Sequence, residues 1–445
     1  MKLAILGTGF IVKEGALPAL QEVPEVEVTA IFARPRSQEK AEALARQYKI
    51  PQVYTDYEKL LAADDVDFVY VGLTNSVHYE YGKKALLAGK HVIMEKPFAS
   101  TAAEVQELRE LALVKGLYMF EAVTCLHLPN FHAIKEMLPQ LGNIKGVQAN
   151  YSQYSSRYDR YLQGEVLPAF DPALSGGALY DINIYNLNFI VGLFGAPQQV
   201  SYKPNKGFNG IDTSGVALLD YPGFTAVAVG AKDADSPCFI TIQGEKGWLQ
   251  VTGAPNALKT FAVALHGERK VTHYELNRYA HRMVHEFQEF ADCYARQDYA
   301  TMQQGLDVSL AVMETAEKAR QAQYTVINAV DANRYLYTYS AGIHIDNLTP
   351  VHLVCITSKC RPVNRAQLTT CLRQEGINSH SFRHTQATRL AKAKVPPVTA
   401  ARRLGHATVG MTLNLYTHDT EDMQRNAMES LYHADKQAHA DKMQT

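Results

Sequence analysis

Residues 2–12 read Lys-Leu-Ala-Ile-Leu-Gly-Thr-Gly-Phe-Ile-Val, an apolar run that leads into a glycine-rich turn. The apolar run predicts a buried strand, and the residues after the turn predict a helix. Glycines at the first two positions of this fingerprint let a pyrophosphate approach the helix N-terminus, although Val12 stands where a third glycine or an alanine is usual. We therefore predict a dinucleotide-binding turn, with an ordinary strand–turn–helix as the alternative. The predicted cofactor-binding residues of this turn are Gly7, Gly9, Phe10 and Ile11.

The rest of residues 1–120 repeats the alternation of short apolar runs and helical patterns. The runs predict further strands at 26–32, 68–73 and 91–94, and the patterns between them predict helices at 14–22, 37–48 and 78–88. Ser37 is the predicted N-cap of the second of these helices. Continuous apolar strands separated by helices are typical of a parallel sheet that is covered on both faces. We predict an α/β fold that begins with a Rossmann domain.

Beyond residue 144 the pattern changes to a series of strands separated by turn signals, which predicts a largely antiparallel sheet in an α+β domain. The predicted strands are 144–154, 200–203, 216–221, 225–231, 239–243 and 248–252. A helix at about 177–193 is inserted early. Two amphipathic helices at 278–297 and 302–322 are expected to close this unit.

Charge is distributed unevenly along the 445 residues, although the formal net charge is only −1. Residues 1–323 hold 30 basic and 36 acidic side chains, whereas residues 324–445 hold 14 basic and 9 acidic ones and 8 of the 16 histidines. The near-zero net charge excludes a uniformly basic nucleic-acid binder, and the split predicts two kinds of partner. The change of sequence pattern after the first sheet and again near residue 323 predicts three parts. They are a Rossmann domain at 1–120, a substrate and oligomerisation domain at 121–323, and a linker with a mostly helical tail at 324–445.

Several classes of protein are disfavoured by what the sequence lacks. The six cysteines show no CxxC pair or metal-like spacing, which predicts reduced thiols and no metal site. The N-terminus has no apolar stretch of signal-peptide length, and no run approaches the roughly 18 apolar residues of a membrane span. We expect a soluble cytoplasmic protein without membrane contact.

Arg34 follows the second predicted strand, at the position where an NAD site usually carries Asp or Glu for the ribose 2′-hydroxyl. A guanidinium pairs with a 2′-phosphate, and Arg36 and Lys40 lie close by in the sequence. The pattern predicts NADP(H) rather than NAD(H). The alternative is ordinary surface charge at the start of a helix.

Polar strings follow the third and fourth predicted strands, where ligands bind in open α/β sheets. They are Thr-Asn-Ser-Val-His at 74–78 and Glu-Lys-Pro at 95–97, and each could also be a helix cap or a polar turn. Farther along, a spacing of four places Asp181 and Tyr185 on one helical face. A tyrosine beside a lysine ammonium can act as general acid or base, because the cation lowers the pKa of the phenol. For Tyr185 alone, the alternative is a half-buried core aromatic.

Taken together, GTGF at residue 7, TNSVH at 74–78, EKP at 95–97 and GGALYDINIY at 176–185 resemble the Gfo/Idh/MocA oxidoreductase family over about residues 1–323. The resemblance implies that the Rossmann domain is followed by a domain with a large open sheet that often forms a dimer interface, hence a homodimer or higher oligomer. It also implies that Lys96 is catalytic and contacts the cofactor. The predicted catalytic residues are Lys96, Tyr185 and Asp181, and the predicted cofactor-binding residues besides the glycine turn are Arg34, Thr74, Asn75, His78, Glu95 and Lys96.

Many family members carry a histidine where this chain has Tyr185. The tyrosine resembles the dihydrodiol dehydrogenase and glucose–fructose oxidoreductase branch, in which it is the proposed acid/base and NADP is common. Asn183 replaces a usual glycine, and residues 124–126 lack an arginine found in related dehydrogenases, so the substrate stays open. The resemblance implies hydride transfer between NADP(H) and a sugar, polyol or trans-dihydrodiol-type compound. A catalytically silent nucleotide sensor is disfavoured because Lys96 and Tyr185 are both present.

The basic tail carries a second pattern, with His380, Arg383, His406 and Tyr416 at characteristic spacing. This spacing resembles the C-terminal half of the catalytic domain of phage-integrase-type tyrosine recombinases. That resemblance implies histidine and arginine donors on a scissile phosphate and an attacking tyrosine. The earlier arginine and the hairpin lysine of that family cannot be assigned, so we predict an incomplete and inactive segment. Weak, salt-sensitive DNA contact and a helical passenger without function are the alternatives, and a DNA-binding or recombining protein is the rival function.

Overall fold

A computed structural model describes residues 1–268 and 270–322 of the chain. The predicted helical tail, with His380, Arg383, His406 and Tyr416, lies outside these described residues. None of the helices in the two described ranges combines the length and the apolar composition that crossing a bilayer requires.

The first sheet has six parallel strands in the order β3-β2-β1-β4-β5-β6. The strands are β1 (Lys2–Leu6), β2 (Glu27–Phe32), β3 (Gln52–Tyr54), β4 (Phe68–Val71), β5 (His91–Glu95) and β6 (Met119–Ala122). This is the doubly wound order of a Rossmann fold, and it confirms the predicted class. Because the strand order reverses between β1 and β4, a crevice opens at their carboxyl ends. Strand β3 was not predicted, because its three residues are only half-buried and form no apolar run.

Helices connect these strands, and the first one differs from its predicted form. After the glycine turn the chain forms a π-helical segment at Ile11–Ala16 and only then continues as α1 (Leu17–Leu20). The later helices are α2 (Gln38–Tyr48), α3 (Tyr57–Leu61), α4 (His78–Leu87) and α5 (Ala102–Lys115). Ser37 precedes α2 as predicted, but its side chain makes no capping hydrogen bond. Helix α5 was missed, although Thr101 and Glu104 form a complete capping box at its start.

The second sheet has eight strands in the order β14-β13-β12-β11-β7-β10-β9-β8. The strands are β7 (Ile144–Ser152), β8 (Gln199–Lys206), β9 (Asp212–Tyr221), β10 (Phe224–Ala231), β11 (Phe239–Gly244), β12 (Gly247–Thr252), β13 (Thr260–Leu265) and β14 (Thr272–Tyr274). Strands β7 and β10 pair in parallel, and the other neighbours are antiparallel, as predicted. The last two strands were not predicted.

Three helices precede most of this sheet: α6 (Pro129–Met137), α7 (Tyr158–Leu162) and α8 (Ile184–Phe194). A π-helical segment at Leu179–Asn183 leads into α8, whose side chains are buried from Ile184 to Val191. Asn183 packs against the backbone of β10, because a Cβ at Gly230 would lie 2.5 Å from the Cβ of Asn183. The helix that carries Asp181 and Tyr185 is therefore fixed on the second sheet.

The final described helices are α9 (Met283–Ala295) and α10 (Tyr299–Ala322). They were expected to close the second unit, but they also pack on the first sheet. The Tyr294 ring meets Phe68 of β4 edge-on at 4.9 Å between ring centroids, and Phe290 stacks on Phe120 of β6 at 4.6 Å. Helix α10 contacts α5 and β6 as well as α8 and β8. One continuous core therefore joins the two sheets.

Candidate active site

A cavity of about 840 Å³ lies at the carboxyl ends of β1, β2, β4 and β5, with part of the second domain as its other wall. It brings together residues that are far apart in the sequence. From the first domain it is lined by Gly7, Thr8, Gly9, Phe10, Ile11, Arg34, Arg36, Thr74, Asn75, Glu95 and Lys96, and from the second by Arg157, Ala169, Gly176, Asp181 and Tyr185. Most of the predicted site residues therefore share one cavity.

The glycine turn leaves room for a phosphate-bearing ligand. Gly7 has φ +113°, and a Cβ there would lie 2.5 Å from the carbonyl oxygen of Gly72, so the fold itself requires glycine. A Cβ on Gly9 would meet no protein atom within 4 Å and would project into open space. Phe10 beside it is 73% exposed. The residues present thus fit the pyrophosphate of a dinucleotide.

Two arginines stand at the end of β2, where the cavity lining runs through Ala33, Arg34, Arg36 and Ser37. This stretch contributes no carboxylate to the lining. Within the described residues, no salt bridge involves Arg34 or Arg36. A phosphate on the ribose would meet positive charge here, whereas a carboxylate would repel it.

The two strand-end strings form contacts between the domains. Asn75 donates a hydrogen bond from Nδ2 to the main-chain oxygen of Ser175, 3.1 Å away, and so ties the first domain to the second. His78 was predicted to bind the cofactor, but it is fully buried and outside the cavity lining. Its ring nitrogens lie 2.9 Å from the oxygen of Pro97 and 3.2 Å from the oxygen of Leu73. The structure therefore places His78 behind the site, where it links the two strings.

Lys96 follows β5, and its peptide bond to Pro97 is cis. The ammonium donates to the main-chain oxygen of Asp181 at 2.9 Å and to its Oδ1 at 3.3 Å. It also lies 4.9 Å from the centroid of the Tyr185 ring. Burial acts to lower the pKa of Lys96, but the neighbouring Tyr185, Asp181 and Glu95 raise it above its usual range. Lys96 is therefore a positive charge fixed beside the tyrosine.

Tyr185 is 8% exposed, and the Tyr151 ring lies 5.8 Å from its own ring. We expected the adjacent cation to lower the pKa of the phenol. Lys96 does act in that direction, but burial is the larger effect, and the pKa of Tyr185 lies above its usual value. The expected effect of the cation is therefore present, but burial, of which the sequence gives no measure, outweighs it. A hydroxyl with a raised pKa keeps its proton at neutral pH.

Lys232 contacts the same carboxylate and was missed by sequence analysis. It follows β10, and its ammonium lies 2.5 Å from Oδ2 of Asp181. Burial acts to raise the pKa of Asp181, but Lys232 and Lys96 together hold it well below its usual range. A single lysine after a strand carries no motif that would have marked it. Arg157, which lines the cavity from the chain after β7, was missed for the same reason.

Glu95 lines the cavity, and Glu121 on β6 and Glu286 on α9 are also buried carboxyl groups. Glu95 accepts hydrogen bonds from the Tyr70 hydroxyl at 2.5 Å and from the Lys96 N–H at 3.2 Å. Burial raises the pKa of Glu95, that of Glu286, and that of Glu121 to about 7. Of these three, only Glu95 was predicted as a site residue, because Glu121 and Glu286 belong to no recognisable motif.

Comparison with known protein families covers most of the chain. Residues 1–122 match the family model described as "Oxidoreductase family, NAD-binding Rossmann fold" (GFO_IDH_MocA), and residues 131–250 match the GFO/IDH/MocA C-terminal domain. Residues 331–423 match the phage integrase family. The two resemblances noted in the sequence are both confirmed by these matches.

Individual relatives agree with the family matches. The chain is 36% identical over 251 residues to scyllo-inositol 2-dehydrogenase (NADP(+)) IolU of Bacillus subtilis (strain 168), which covers 56% of this chain and 76% of the relative. It is 33% identical over 208 residues to the trans-1,2-dihydrobenzene-1,2-diol dehydrogenase of Oryctolagus cuniculus, covering 46% of this chain and 61% of that protein. Among solved structures, KijD10, a 3-ketoreductase from Actinomadura kijaniata, superposes with a TM-score of 0.61 at 23% identity over 72% of this chain and 97% of that one, which shows a shared fold.

Proposed function

The chain belongs to the NAD(P)-dependent oxidoreductases of the Gfo/Idh/MocA family, and from that premise we propose that it transfers a hydride between NADP(H) and a CH–OH carbon of a sugar, polyol or dihydrodiol. The observation that carries this proposal is the position of the Lys96 ammonium. It is held by Asp181 and lies beside the Tyr185 ring, in the cavity that also contains the glycine turn. A cation, a proton-carrying phenol and a dinucleotide cradle are the parts that such a reaction needs.

The preference for NADP(H) is proposed on the residues at the end of β2. Arg34 and Arg36 both line the cavity and can hold the 2′-phosphate through charge-assisted hydrogen bonds. The Bacillus subtilis relative, whose name specifies NADP(+), supports the same preference.

Proton transfer is the part of the reaction that this chain's own side chains perform. Bound NADP(H) supplies or accepts the hydride at the substrate carbon. When an alcohol is oxidised, Tyr185 in its ionised form would accept the hydroxyl proton, while the hydride would pass from the carbon to NADP⁺. When a carbonyl is reduced, Tyr185 donates that proton, and the Lys96 charge stabilises the tyrosinate that remains. The raised pKa of Tyr185 favours the role of proton donor at neutral pH.

The proposed substrates carry neighbouring hydroxyl groups. Inositols and dihydrodiols, the compounds in the relatives' names, share this feature. In the cavity, Lys96 and Asp181 offer a donor and an acceptor close together. Such a pair suits one hydroxyl that reacts and a second that orients the ring.

Fluorescence titration with NADPH and NADH, followed by turnover assays with inositols, sugars and diols, tests the proposal. Tight NADPH binding and turnover are expected.

Tyr185→Phe should abolish turnover and leave NADPH binding intact, whereas Tyr151→Phe, which removes a neighbouring hydroxyl, should retain most of the activity. Binding of neither cofactor would refute the oxidoreductase role, and loss of both binding and turnover in Tyr185→Phe would refute the role assigned to Tyr185.

We further propose that the outer face of the eight-stranded sheet forms a homodimer or a higher oligomer. Leu218 on β9 is 41% exposed, while its neighbours Ala217 and Leu219 are fully buried, so this face presents apolar side chains outward. Val227 and Val229 on β10 are likewise only partly buried. Leu218→Lys should shift the mass measured by light scattering to that of a monomer, and a wild-type monomer would refute the proposal.

The match of residues 331–423 to the phage integrase family supports a second, weaker candidate function. We propose salt-sensitive contact with DNA by the basic tail, without recombination, since the earlier arginine and the lysine of that family are unassigned. The residues concerned are His380, Arg383, His406 and Tyr416. Fluorescence anisotropy with duplex DNA should show binding that weakens steeply between 50 and 200 mM salt. Absence of binding at low salt would leave only the oxidoreductase role.

A further inference from the structure

We propose that Lys232 is a positioning residue for catalysis, which orients the Asp181 carboxylate and adds one positive charge to the Lys96–Tyr185 pair. The inference rests on the proposed function, because it assumes that Lys96 and Tyr185 act on the substrate. Lys232 is 3% exposed and is not part of the cavity lining, so it acts through Asp181 and does not touch the substrate.

The backbone holds Lys232 in place on both sides. It follows the last residue of β10, its N–H donates to the oxygen of Thr213 at 2.9 Å, and its oxygen accepts from the N–H of Ser155 at 2.9 Å. The ammonium donates to Oδ2 of Asp181 at 2.5 Å and to the oxygen of Ala169 at 2.8 Å. A lysine that is fixed at both its backbone and its ammonium can in turn fix the carboxylate that it contacts.

The carboxylate of Asp181 is divided between two cations. Lys232 takes Oδ2, which leaves Oδ1 and the main-chain oxygen to Lys96. One ammonium would already neutralise a buried carboxylate, so the second leaves an excess of one positive charge. Because Lys96 lies 4.9 Å from the Tyr185 ring, the excess is located where a tyrosinate would form.

Removal of that charge should make it harder for Tyr185 to give up its proton, in the presence of the other groups that face it. The charged and titratable groups that face Tyr185 include Lys96, Glu95, Arg282, Tyr151 and Tyr70. Those that face Asp181 include Lys96, Lys232 and Tyr151. When Tyr185 gives up its proton, the trio of Lys96, Lys232 and Asp181 offsets the new negative charge. Without the Lys232 charge, Lys96 and Asp181 neutralise each other, and Arg282 is the remaining positive charge among these groups that can offset a buried tyrosinate.

Two variants separate the charge of Lys232 from its hydrogen bonds. Lys232→Gln keeps a donor without the charge, and Lys232→Arg keeps both. We expect Lys232→Gln to lower kcat about 10- to 100-fold, with the Kd for NADPH unchanged. For alcohol oxidation, kcat should rise with pH as Tyr185 becomes able to accept a proton. Because a nearby positive charge is lost, this rise should move to higher pH by about one unit. Lys232→Arg should recover most of the activity and the wild-type profile.

The matched control is Lys203→Met, which removes an exposed lysine from β8 of the same sheet. Wild-type kcat and pH profile are expected for it. The melting transition and NADPH binding of Lys232→Gln show whether this variant is folded. If the folded variant had the wild-type kcat and pH profile, Lys232 would be a structural contact only and the inference would be overturned.

A measurement without turnover distinguishes this inference from the proposed function. Carbon-13 NMR of the aspartate carboxyls, with Asp181 assigned through Asp181→Asn, should show Asp181 ionised at pH values where exposed aspartates take up protons. In Lys232→Gln it should take up its proton at higher pH. Ordinary titration of Asp181 in the wild type would refute the inference even if the variant did not fold. If Asp181 stayed ionised at low pH as expected but the wild type showed no turnover, only the proposed function would be refuted.

Discussion

The Lys96 ammonium donates to both the main-chain oxygen and Oδ1 of Asp181, at 2.9 and 3.3 Å, across 85 positions of sequence. A residue at the end of a strand in the first domain is thus fixed by a helical segment of the second.

We therefore expect Lys96→Met to reduce kcat by about 10²- to 10⁴-fold, because the cation beside Tyr185 is lost. Steady-state kinetics would check this. Lys90→Met is the control, since Lys90 also donates to main-chain oxygens, those of Ala63 and Val66, but outside the cavity. Equal activity of the two variants would contradict the role of Lys96.

Arg34 should determine the choice of cofactor. Arg34→Glu replaces a cation at the end of β2 with the residue type that holds a ribose 2′-hydroxyl. We expect NADPH affinity to fall about 10- to 100-fold, because charge-assisted hydrogen bonds are lost, while NADH affinity is retained or improved. Fluorescence titration with both cofactors measures the ratio. Arg46→Ala on the exposed side of α2 should leave the ratio unchanged. An unchanged ratio in Arg34→Glu would remove the argument for NADP(H).

The two glycines of the first turn should respond differently to alanine. A Cβ on Gly9 meets no protein atom within 4 Å, so Gly9→Ala should keep its melting temperature but bind NADPH more weakly. At Gly7, φ is +113° and the Cβ would lie 2.5 Å from the Gly72 oxygen, so Gly7→Ala should be destabilised by about 1–3 kcal/mol. Thermal melting and NADPH titration of both variants test this contrast. Full NADPH affinity in Gly9→Ala would argue against the pyrophosphate cradle.

Glu121 should make the folded state less stable as the pH rises. Its pKa is raised by burial to about 7, so the folded protein keeps a proton that the unfolded chain releases near its usual value of 4.5. Stability is therefore full below the unfolded pKa and falls as the pH rises through the folded one, by about 3 kcal/mol in total. Glu121→Gln should match the wild type at pH 4.5 and exceed its stability at pH 8.

Denaturant unfolding of the wild type and Glu121→Gln at both pH values measures that effect. Glu136→Gln, at an exposed position of α6, is the control and should show no pH-dependent difference from the wild type. If Glu121→Gln were no more stable than the wild type at pH 8, Glu121 would be ionised in the folded state at that pH without cost.

The sequence was most informative where local pattern and position coincide. The apolar runs of β1, β4 and β5 and the glycine turn predicted the parallel sheet, and parallel strands necessarily present their carboxyl ends at one edge. The structure places Lys96, at the end of β5, beside Asp181 and Tyr185 of the second domain. Short strands such as β3 carry too few residues for a pattern.

Other features depend on contacts between distant segments. Lys232 reaches Asp181 because the helical segment that carries Asp181 packs on β10, a contact that no local pattern encodes. The raised pKa of Tyr185 reflects burial by several elements at once. The π-helical segment at Leu179–Asn183 could not be told from an α-helix by the four-residue spacing alone.

The return of α9 onto the first sheet has a consequence for how the chain folds during its synthesis. Phe68 and Phe120 belong to strands made early, but Tyr294 and Phe290, which cover them, are made about 170 residues or more later. As the ribosome releases residues 1–122, that aromatic surface is open to water, and it stays open until the second sheet has been synthesised. The nucleotide-binding half therefore cannot complete its core without α9. A nascent chain that stalls before Met283 would expose this aromatic surface and would be an aggregation-prone intermediate that chaperones could bind.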